Sequence, residues 1–332
     1  MAQNTDVLII GAGISGLVAA RALTERGKRV LVLDKARNPG GRLGTRRVDG
    51  GAADHGSQFF TVRSPEFGIH VERWLAEGLV FEWSRGWSDG SLTVVHDGNP
   101  RYAVRGGMVA LAKRLATGID VRQKVQVVSV HSAEEGWEVR DEVGSRSRAK
   151  ALLLTPPVPQ TLALLDAGNV RLTDADRTML QAIDYEPTLT ALFHIDGRAH
   201  LPAPGAIQRP HAPIFWIADN RQKGISPDTT VVTMQAGPVY SRQIWDLSDD
   251  ETLRAFRVHL MPFLSDNARI VSGELKRWRY SQPTTFYPAP YLQADGQPAP
   301  LLLAGDAFGG VGVEGAALSG MAAGTKLADL IG

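Results

Sequence analysis

A glycine triplet close to the start of the chain leaves few folds open. Asp6-Val7-Leu8-Ile9-Ile10 is a short apolar run rich in β-branched residues, the pattern of a parallel strand buried on both faces. Gly11-Ala12-Gly13-Ile14-Ser15-Gly16 follows at once, and the amphipathic stretch from Leu17 to Arg26, closed by Gly27, predicts a helix with its C-terminal glycine. A second apolar run, Arg29 to Leu33, ends in Asp34. Strand, turn, helix and strand make one βαβ unit, whose right-handed crossover demands a parallel sheet. In that setting the first glycine makes a tight turn, the second admits a diphosphate to the backbone, and the third lets helix pack on strand. The helix N-terminus presents free N–H groups to the phosphates. Asp34 stands where a carboxylate accepts from ribose hydroxyls, and its charge disfavours a 2′-phosphate. Gly11, Ala12, Gly13, Ser15, Gly16, Asp34 and the adjacent Lys35 are therefore predicted to surround a dinucleotide, either FAD or NAD.

Two further segments favour FAD. In Asn38-Pro39-Gly40-Gly41-Arg42 the glycines allow close approach to an anion, and Arg42 can make charge-assisted bonds to a diphosphate. Near the other end, the apolar run Leu301 to Ala304 leads into Gly305-Asp306, then a glycine-rich stretch through Gly312 and Val313, then an Ala/Gly/Leu-rich helix. A strand ending in Gly-Asp puts a carboxylate where it can accept from a ribitol hydroxyl, though Asp306 would also serve as a helix N-cap. The following helix would aim its N–H dipoles at the flavin edge where negative charge gathers on reduction. Glu314 is equally well explained as a first-turn acid favoured by that dipole. An NAD domain has no need of this second element.

The remaining segments fill in two domains, as a length of 332 residues suggests. Gly106 to Ala116 predicts a helix, Lys124 to Val130 and Gly136 to Arg140 paired strands, and Ala151 to Leu154 a buried strand stopped by Pro156 and Pro157. Between 157 and 290, helical pieces (Asp174 to Ile183, Glu251 to Phe263) alternate with strand-like runs (Leu189 to Ile195, Pro213 to Ile217, Val231 to Ala236, Val271 to Tyr280). The fold class is α/β. A Rossmann-type FAD-binding domain (1–60, 106–156 and 290–332) is interleaved with a substrate domain (61–105 and 157–289), a mainly antiparallel sheet with helices on one face.

Composition narrows the chemistry. A net charge of +1 supplies no field for nucleic acid or a membrane surface. Cysteine is absent, which rules out disulfides, Cys-ligated metals and a flavin tethered through sulfur, so a noncovalent flavin is expected. The apolar run Val7 to Ile10 is too short for a signal core or a membrane span, and a cytoplasmic location is expected. The eight histidines show no metal-ligand spacing, so no metal is expected.

GAGISGLVAARAL, DKARNPGGRLGTRR, ADHGSQFFT (Ala53 to Thr61), RWRYSQP (Arg277 to Pro283) and LLLAGDAFGGVGVEGAALSG together resemble the renalase-like flavoproteins of the amine-oxidase superfamily. The GGR and GD elements are shared across that superfamily, whereas the combination of GGRxxTRR with the DxGxQFFT and RWRYSQP runs is more specific to the renalase group. The resemblance implies a glutathione-reductase-2/amine-oxidase-like fold. It implies FAD contacts at Ser15, Arg42, Gln58 and Phe59 with Gly56 and Ser57 beside them, ribose at Asp34, ribitol at Asp306, and adenine at the backbone of Val125 in the strand Lys124 to Val130. It further implies an oxidase that takes a hydride from off-pathway 2- or 6-dihydronicotinamide isomers of NAD(P), with O2 as the second substrate and H2O2 as product.

Hydride transfer of that kind needs orientation and exclusion of water more than acid–base help, because the donor becomes an aromatic cation. No triad or convincing base is visible; His55, beside Asp54, is the one tempting candidate and is more readily structural. Trp216, Trp278, Tyr280 and Phe308 are flat enough to stack a nicotinamide, and Arg63, Arg277 and Arg279 could pair with its phosphates. An amine oxidase, with an aromatic cage and a lysine–water pair, is the alternative enzyme. A desaturase or isomerase of the carotenoid or protoporphyrinogen kind needs a longer substrate domain, and a flavin-binding scaffold without turnover is the non-enzymatic alternative.

Overall fold

The computed structural model describes residues 5–91 and 93–332. Contacts along the chain divide it into two compact units. One comprises Met1–Gly41, Ala112–Tyr185 and Gln282–Gly332; the other comprises Arg42–Leu111 and Glu186–Ser281.

The first unit is built on a sheet whose strands lie in the order Leu292–Gln293, Leu301–Leu303, Arg146–Leu154, Thr5–Ile10, Val30–Asp34, Asp120–Gln123. The last five of these run parallel, and the antiparallel hairpin of Val127–Ala133 and Gly136–Asp141 continues from Arg146–Leu154. Val7, Ile9, Leu152 and Leu302 are fully buried, as expected of parallel strands covered on both sides. The register matters for function. Ile10 lies beside both Leu33 and Leu154, and Leu154 lies beside Leu303, so four strands end level with one another. Gly11, Asp34, Thr155 and the Ala304-Gly305 turn consequently emerge at one edge, the carboxyl edge where open α/β sheets take their ligands.

Helix Ile14–Glu25 and the C-terminal helix Gly312–Leu330 pack on each other through glycine. A Cβ on Gly320 would fall 2.1 Å from the Ser15 carbonyl oxygen, and one on Gly324 would fall 2.7 Å from that of Ala19. Gly320 and Gly324, four residues apart, share one helical face and bring the two backbones together.

The second unit holds a sheet in the order Arg269–Pro283, Tyr185–Asp196, Thr230–Ala236, Ile214–Asp219, Ala206–Gln208, Val80–Ser88, Val94–Val104. Its neighbours whose register is defined are antiparallel except at Ile207 and Ser88. Helix Asp249–Leu260, started by a reciprocal cap between Ser248 and Glu251, buries Leu253, Phe256 and Leu260 against Leu189, Phe193 and Met234.

Three features differ from the sequence expectation. Residues 42–60 belong with the second unit, because the hairpin Thr45–Val48/Gly51–Asp54 buries Val48 and Ala53 against Leu192 and Val231. Residues 157–185 belong with the first. There the Pro156-Pro157 pair that ends a strand also starts helix Val158–Ala167, which closes on the hairpin so tightly that a Cβ on Gly168 would fall 1.5 Å from the Val130 oxygen. The predicted strand over 124–130 begins only at Val127, since Lys124 adopts φ +57° and breaks it, leaving Val125 in the connection.

Candidate functional site

The three fingerprint glycines occupy different surroundings. Gly11, at φ +104°, would place a Cβ 2.4 Å from Thr155 Oγ1, and Gly16 would place one 2.0 Å from the Gly11 carbonyl oxygen. Both are glycine because the chain folds onto itself there. A Cβ on Gly13 would meet nothing within 4 Å. This glycine caps helix Ile14–Glu25 without a side-chain hydrogen bond, so no capping side chain takes up the first-turn N–H groups. In the same turn Ser15 Oγ is buried without a hydrogen-bond partner. Gly40 N donates to Ala12 O (2.7 Å), which sets the Gly40-Gly41 segment alongside the fingerprint. A helix start, a vacant approach and an orphaned hydroxyl fit a diphosphate.

Asp34 is held at the strand end by two amides, Ala12 N to Oδ2 (2.6 Å) and Ala36 N to Oδ1 (2.7 Å). Its own carbonyl accepts from Val125 N at 2.9 Å. Asp34 and the backbone of Val125 are therefore neighbours, although Val125 is not in a strand. Lys35 is exposed just beyond.

At the same sheet edge Gly305 N donates to Ser319 Oγ (2.9 Å), which donates in turn to Pro290 O (2.6 Å). Asp306 is buried in the following turn. It is not the cap of the last helix, whose N-cap is Val311 and carries no side-chain cap bond. Gly312, at φ +72°, has open space where a Cβ would stand, Val313 is buried, and the buried Glu314 lies in the first helical turn. Both ends of the chain thus bring uncapped, glycine-flanked helix starts to one unit.

In the second unit Arg42 and the DHGSQFF segment interlock. Ser57 N donates to Arg42 O (2.8 Å), and a Cβ on Gly56 would fall 2.0 Å from that same oxygen. The loop's carbonyls are then taken up by side chains from distant strands. Trp278 Nε1 donates to His55 O (2.7 Å), Gln235 Nε2 to Gly56 O (2.8 Å), and Thr233 Oγ1 to Asp54 O (3.0 Å). Gln58 Nε2 donates to Asp54 O, while its Oε1 is buried and without a partner. Phe59 packs against Trp87 and Trp216 at 5.3 and 5.5 Å between ring centres.

His55 stacks on Trp278 (5.3 Å, 12° between planes), with Lys276 Nζ 4.8 Å from the Trp278 ring centre. Burial, reinforced by the charges of Lys276 and Arg46, pulls the His55 pKa down to about 4, and its Nδ1 has no partner. The imidazole is neutral at pH 7. Lys223, which the sequence offered no reason to single out, is completely buried with Asp54 in an ion pair of 2.6 Å.

The aromatic candidates occupy different settings. Trp216 (1% exposed) is core of the second unit, among Trp83, Trp87 and Phe59, with its Nε1 unpartnered. Trp278 and Tyr280 lie two apart on one strand and so share a face. Phe308 (2% exposed) belongs to the first unit and packs on Tyr287. Arg277 is committed to Asp249 and to the Trp245 and Leu247 carbonyls, which corrects its reading as a phosphate partner. Arg279 lies over the Trp245 ring, and Arg63 is exposed. Among the described residues no three His, Asp or Glu side chains converge on a metal position, and no helix is long and apolar enough to cross a membrane.

With this geometry, residues 9–77 match the NAD(P)-binding Rossmann-like domain, and residues 75–327 match the flavin containing amine oxidoreductase family. The chain belongs to that family. As a flavin-containing amine oxidoreductase it is an FAD-dependent enzyme of oxidation and reduction, and the open glycine approaches suit such a cofactor. It is similar to mouse (Mus musculus) renalase, with 24% identity over 302 residues, 84% of this chain and 85% of that one. The renalase-like character expected from its motifs stands. Its fold is that of a putative protoporphyrinogen oxidase from Exiguobacterium sp. 255-15 (TM-score 0.72, 14% identity, 99% of each chain covered). It is also that of wild-type putrescine oxidase bound to putrescine (TM-score 0.70, 17% identity, 99% of each chain covered).

Proposed function

We propose that this flavoenzyme is an oxidase of off-pathway dihydronicotinamides, converting 2- or 6-dihydroNAD(P), O2 and a proton into NAD(P)+ and H2O2. The observation that carries the reading is the renalase-like motif Asp54 to Thr61, present within a likeness that runs along most of the chain. Bound noncovalently, FAD would supply the two-electron oxidation and pass the electrons to O2.

The chain's own residues have distinct tasks in this reading. Gly11, Ala12, Gly13, Ser15, Gly16 and Gly41 admit and hold the diphosphate at a helix start, and Asp34, Lys35 and the backbone of Val125 take the adenosine end. Gly305 and Asp306 take the ribitol, and the uncapped helix behind Gly312 and Val313 offers positive potential to the pyrimidine edge. Arg42, Gly56, Ser57, Gln58 and Phe59 complete the flavin set. Trp216, Trp278, Tyr280 and Phe308 are the aromatic candidates for a flat substrate ring. The hydrogen leaves the donor carbon as a hydride, so no base is needed, and the lowered pKa of His55 makes that residue a weak one.

An amine oxidase is the second reading, and the likeness in fold to putrescine oxidase favours it. Against it stands the run Asp54 to Thr61, which is more specific to the renalase group than to the amine-oxidase superfamily at large. Anaerobic mixing of the purified holoenzyme with borohydride-generated dihydroNAD(P) isomers should bleach the oxidised flavin within a turnover. A panel of mono- and polyamines should not. Bleaching by an amine with no response to either isomer reverses the assignment. Flavin that stays with the precipitated protein after acid treatment would overturn the noncovalent attachment.

A further inference from the structure

Lys223 sits in a loop between two strands of the second unit, its side chain fully enclosed. All three ammonium directions are used: Asp54 Oδ2 at 2.6 Å, the Gln58 carbonyl at 2.6 Å and the ring of Trp83 at 4.6 Å. The Asp54 carboxylate is equally committed. Its other oxygen accepts from Met108 N (2.8 Å) and Thr45 Oγ1 (2.5 Å). Burial drags the Lys223 pKa down while the neighbouring carboxylate pushes it back up.

A pair of this kind is a poor device for stability. Removing two charges from water costs about as much as their attraction returns, and an apolar pair of the same shape does as well or better. What it does supply is direction. An ammonium can hold a backbone carbonyl and a carboxylate at once, which no apolar side chain can do. The carbonyl held is that of Gln58, in the loop whose other carbonyls are held by Trp278, Gln235 and Thr233. Four side chains from distant parts of the second unit therefore set the path of residues 54–60, and Lys223 is the only charged one of the four.

We propose that Lys223 is a positioning residue of the oxidation site, its ammonium fixing the Gln58 carbonyl and with it the loop that presents Gln58 and Phe59 to the flavin. The inference rests on the assignment of Gln58 and Phe59 to the flavin set made above. Lys223 touches neither cofactor nor substrate in this scheme and acts through the loop alone.

The double variant Asp54→Asn/Lys223→Met tests it. Both buried charges go and the shape is nearly kept; the side-chain amide oxygen introduced at position 54 still accepts from Met108 N, its amide nitrogen stands where Oδ2 stood, and the Gln58 carbonyl loses its ammonium donor. Amide hydrogen exchange of the apoprotein should speed up at residues 54–60 and stay as in wild type over the rest of the second unit. FAD affinity, titrated into apoprotein, should fall roughly 10- to 100-fold, the equivalent of one hydrogen bond to a charged group. The visible absorption band of the bound flavin should shift, and at saturating FAD kcat should fall more than KM rises. Unchanged exchange at 54–60, or localised exchange with wild-type FAD affinity and spectrum, overturns the proposal. So does a variant that does not fold or that loses protection throughout the second unit, since the pair then serves stability alone. Failure of the functional reading looks different: wild-type holoenzyme would oxidise neither isomer, while the exchange and FAD-affinity changes of the variant would persist.

Discussion

The Cβ that Gly320 lacks would stand 2.1 Å from the carbonyl oxygen of Ser15. Residues more than 300 positions apart thus meet backbone to backbone, at the first turn of the helix that follows the glycine fingerprint. The last helix is part of the platform beneath the dinucleotide edge, and small residues on both helices are what let it approach so closely.

Gly320→Ala is therefore expected to destabilise the protein. Overpacking costs about 1–3 kcal/mol, and the upper end applies where the obstacle is backbone that cannot rotate away. Gly324→Ala, with a 2.7 Å approach to the Ala19 oxygen, should cost less. Thermal melting of the two variants, with flavin content after dialysis, ranks them. A Gly320→Ala protein melting with the wild type would mean that the two helices part without cost.

Asp34→Ala should weaken FAD binding while leaving the sheet intact. The carboxylate orders two amides of the turn and, in the proposed site, accepts from ribose. Loss of one or two charge-assisted hydrogen bonds corresponds to about 1.5–3 kcal/mol each, or at least a tenfold weaker Kd. Fluorescence titration of apoprotein with FAD measures it. Circular dichroism should be unaltered.

His55 predicts a pH dependence with a definite sign. Its folded pKa, about 4, lies below the ordinary 6.5, because burial and the charges of Lys276 and Arg46 oppose protonation. The unfolded chain therefore binds the extra proton first, and stability rises with pH through that interval. The contribution is complete above about 6.5, is lost progressively as pH falls, and is gone by about 4. Full expression of the difference is worth roughly 3 kcal/mol. Melting temperatures between pH 7 and 4 should fall more steeply for the wild type than for His55→Phe. Parallel slopes for the two proteins would show that the imidazole is not held neutral.

The fingerprint was legible because its physics is local. A β-branched run, glycines needed for a tight turn and for helix–strand contact, and an acid at the next strand end all lie within one crossover. The same holds for Gly305-Asp306 and the uncapped helix after it. Val125 shows where local reading stops: its alternating neighbours look like strand, but Lys124 turns at φ +57° and Val125 N is drawn to the Asp34 carbonyl instead. Pro156 and Pro157 were legible as the end of a strand, whereas the helix they begin depends on Val130 lying across the chain to receive it.

By itself the sequence determined the αβ chemistry of the nucleotide edge and the kind of cofactor that edge accepts, since turn geometry and helix dipoles are properties of a few consecutive residues. Tertiary structure alone decided that residues 42–60 join the second unit, that Trp216 is core, that Arg277 is spoken for, and that Lys223 meets Asp54. The physical reason is the same in each case. Burial and ion pairing depend on what arrives from elsewhere in the chain, and a lysine separated from its aspartate by 169 residues carries no local mark of the partner it will find.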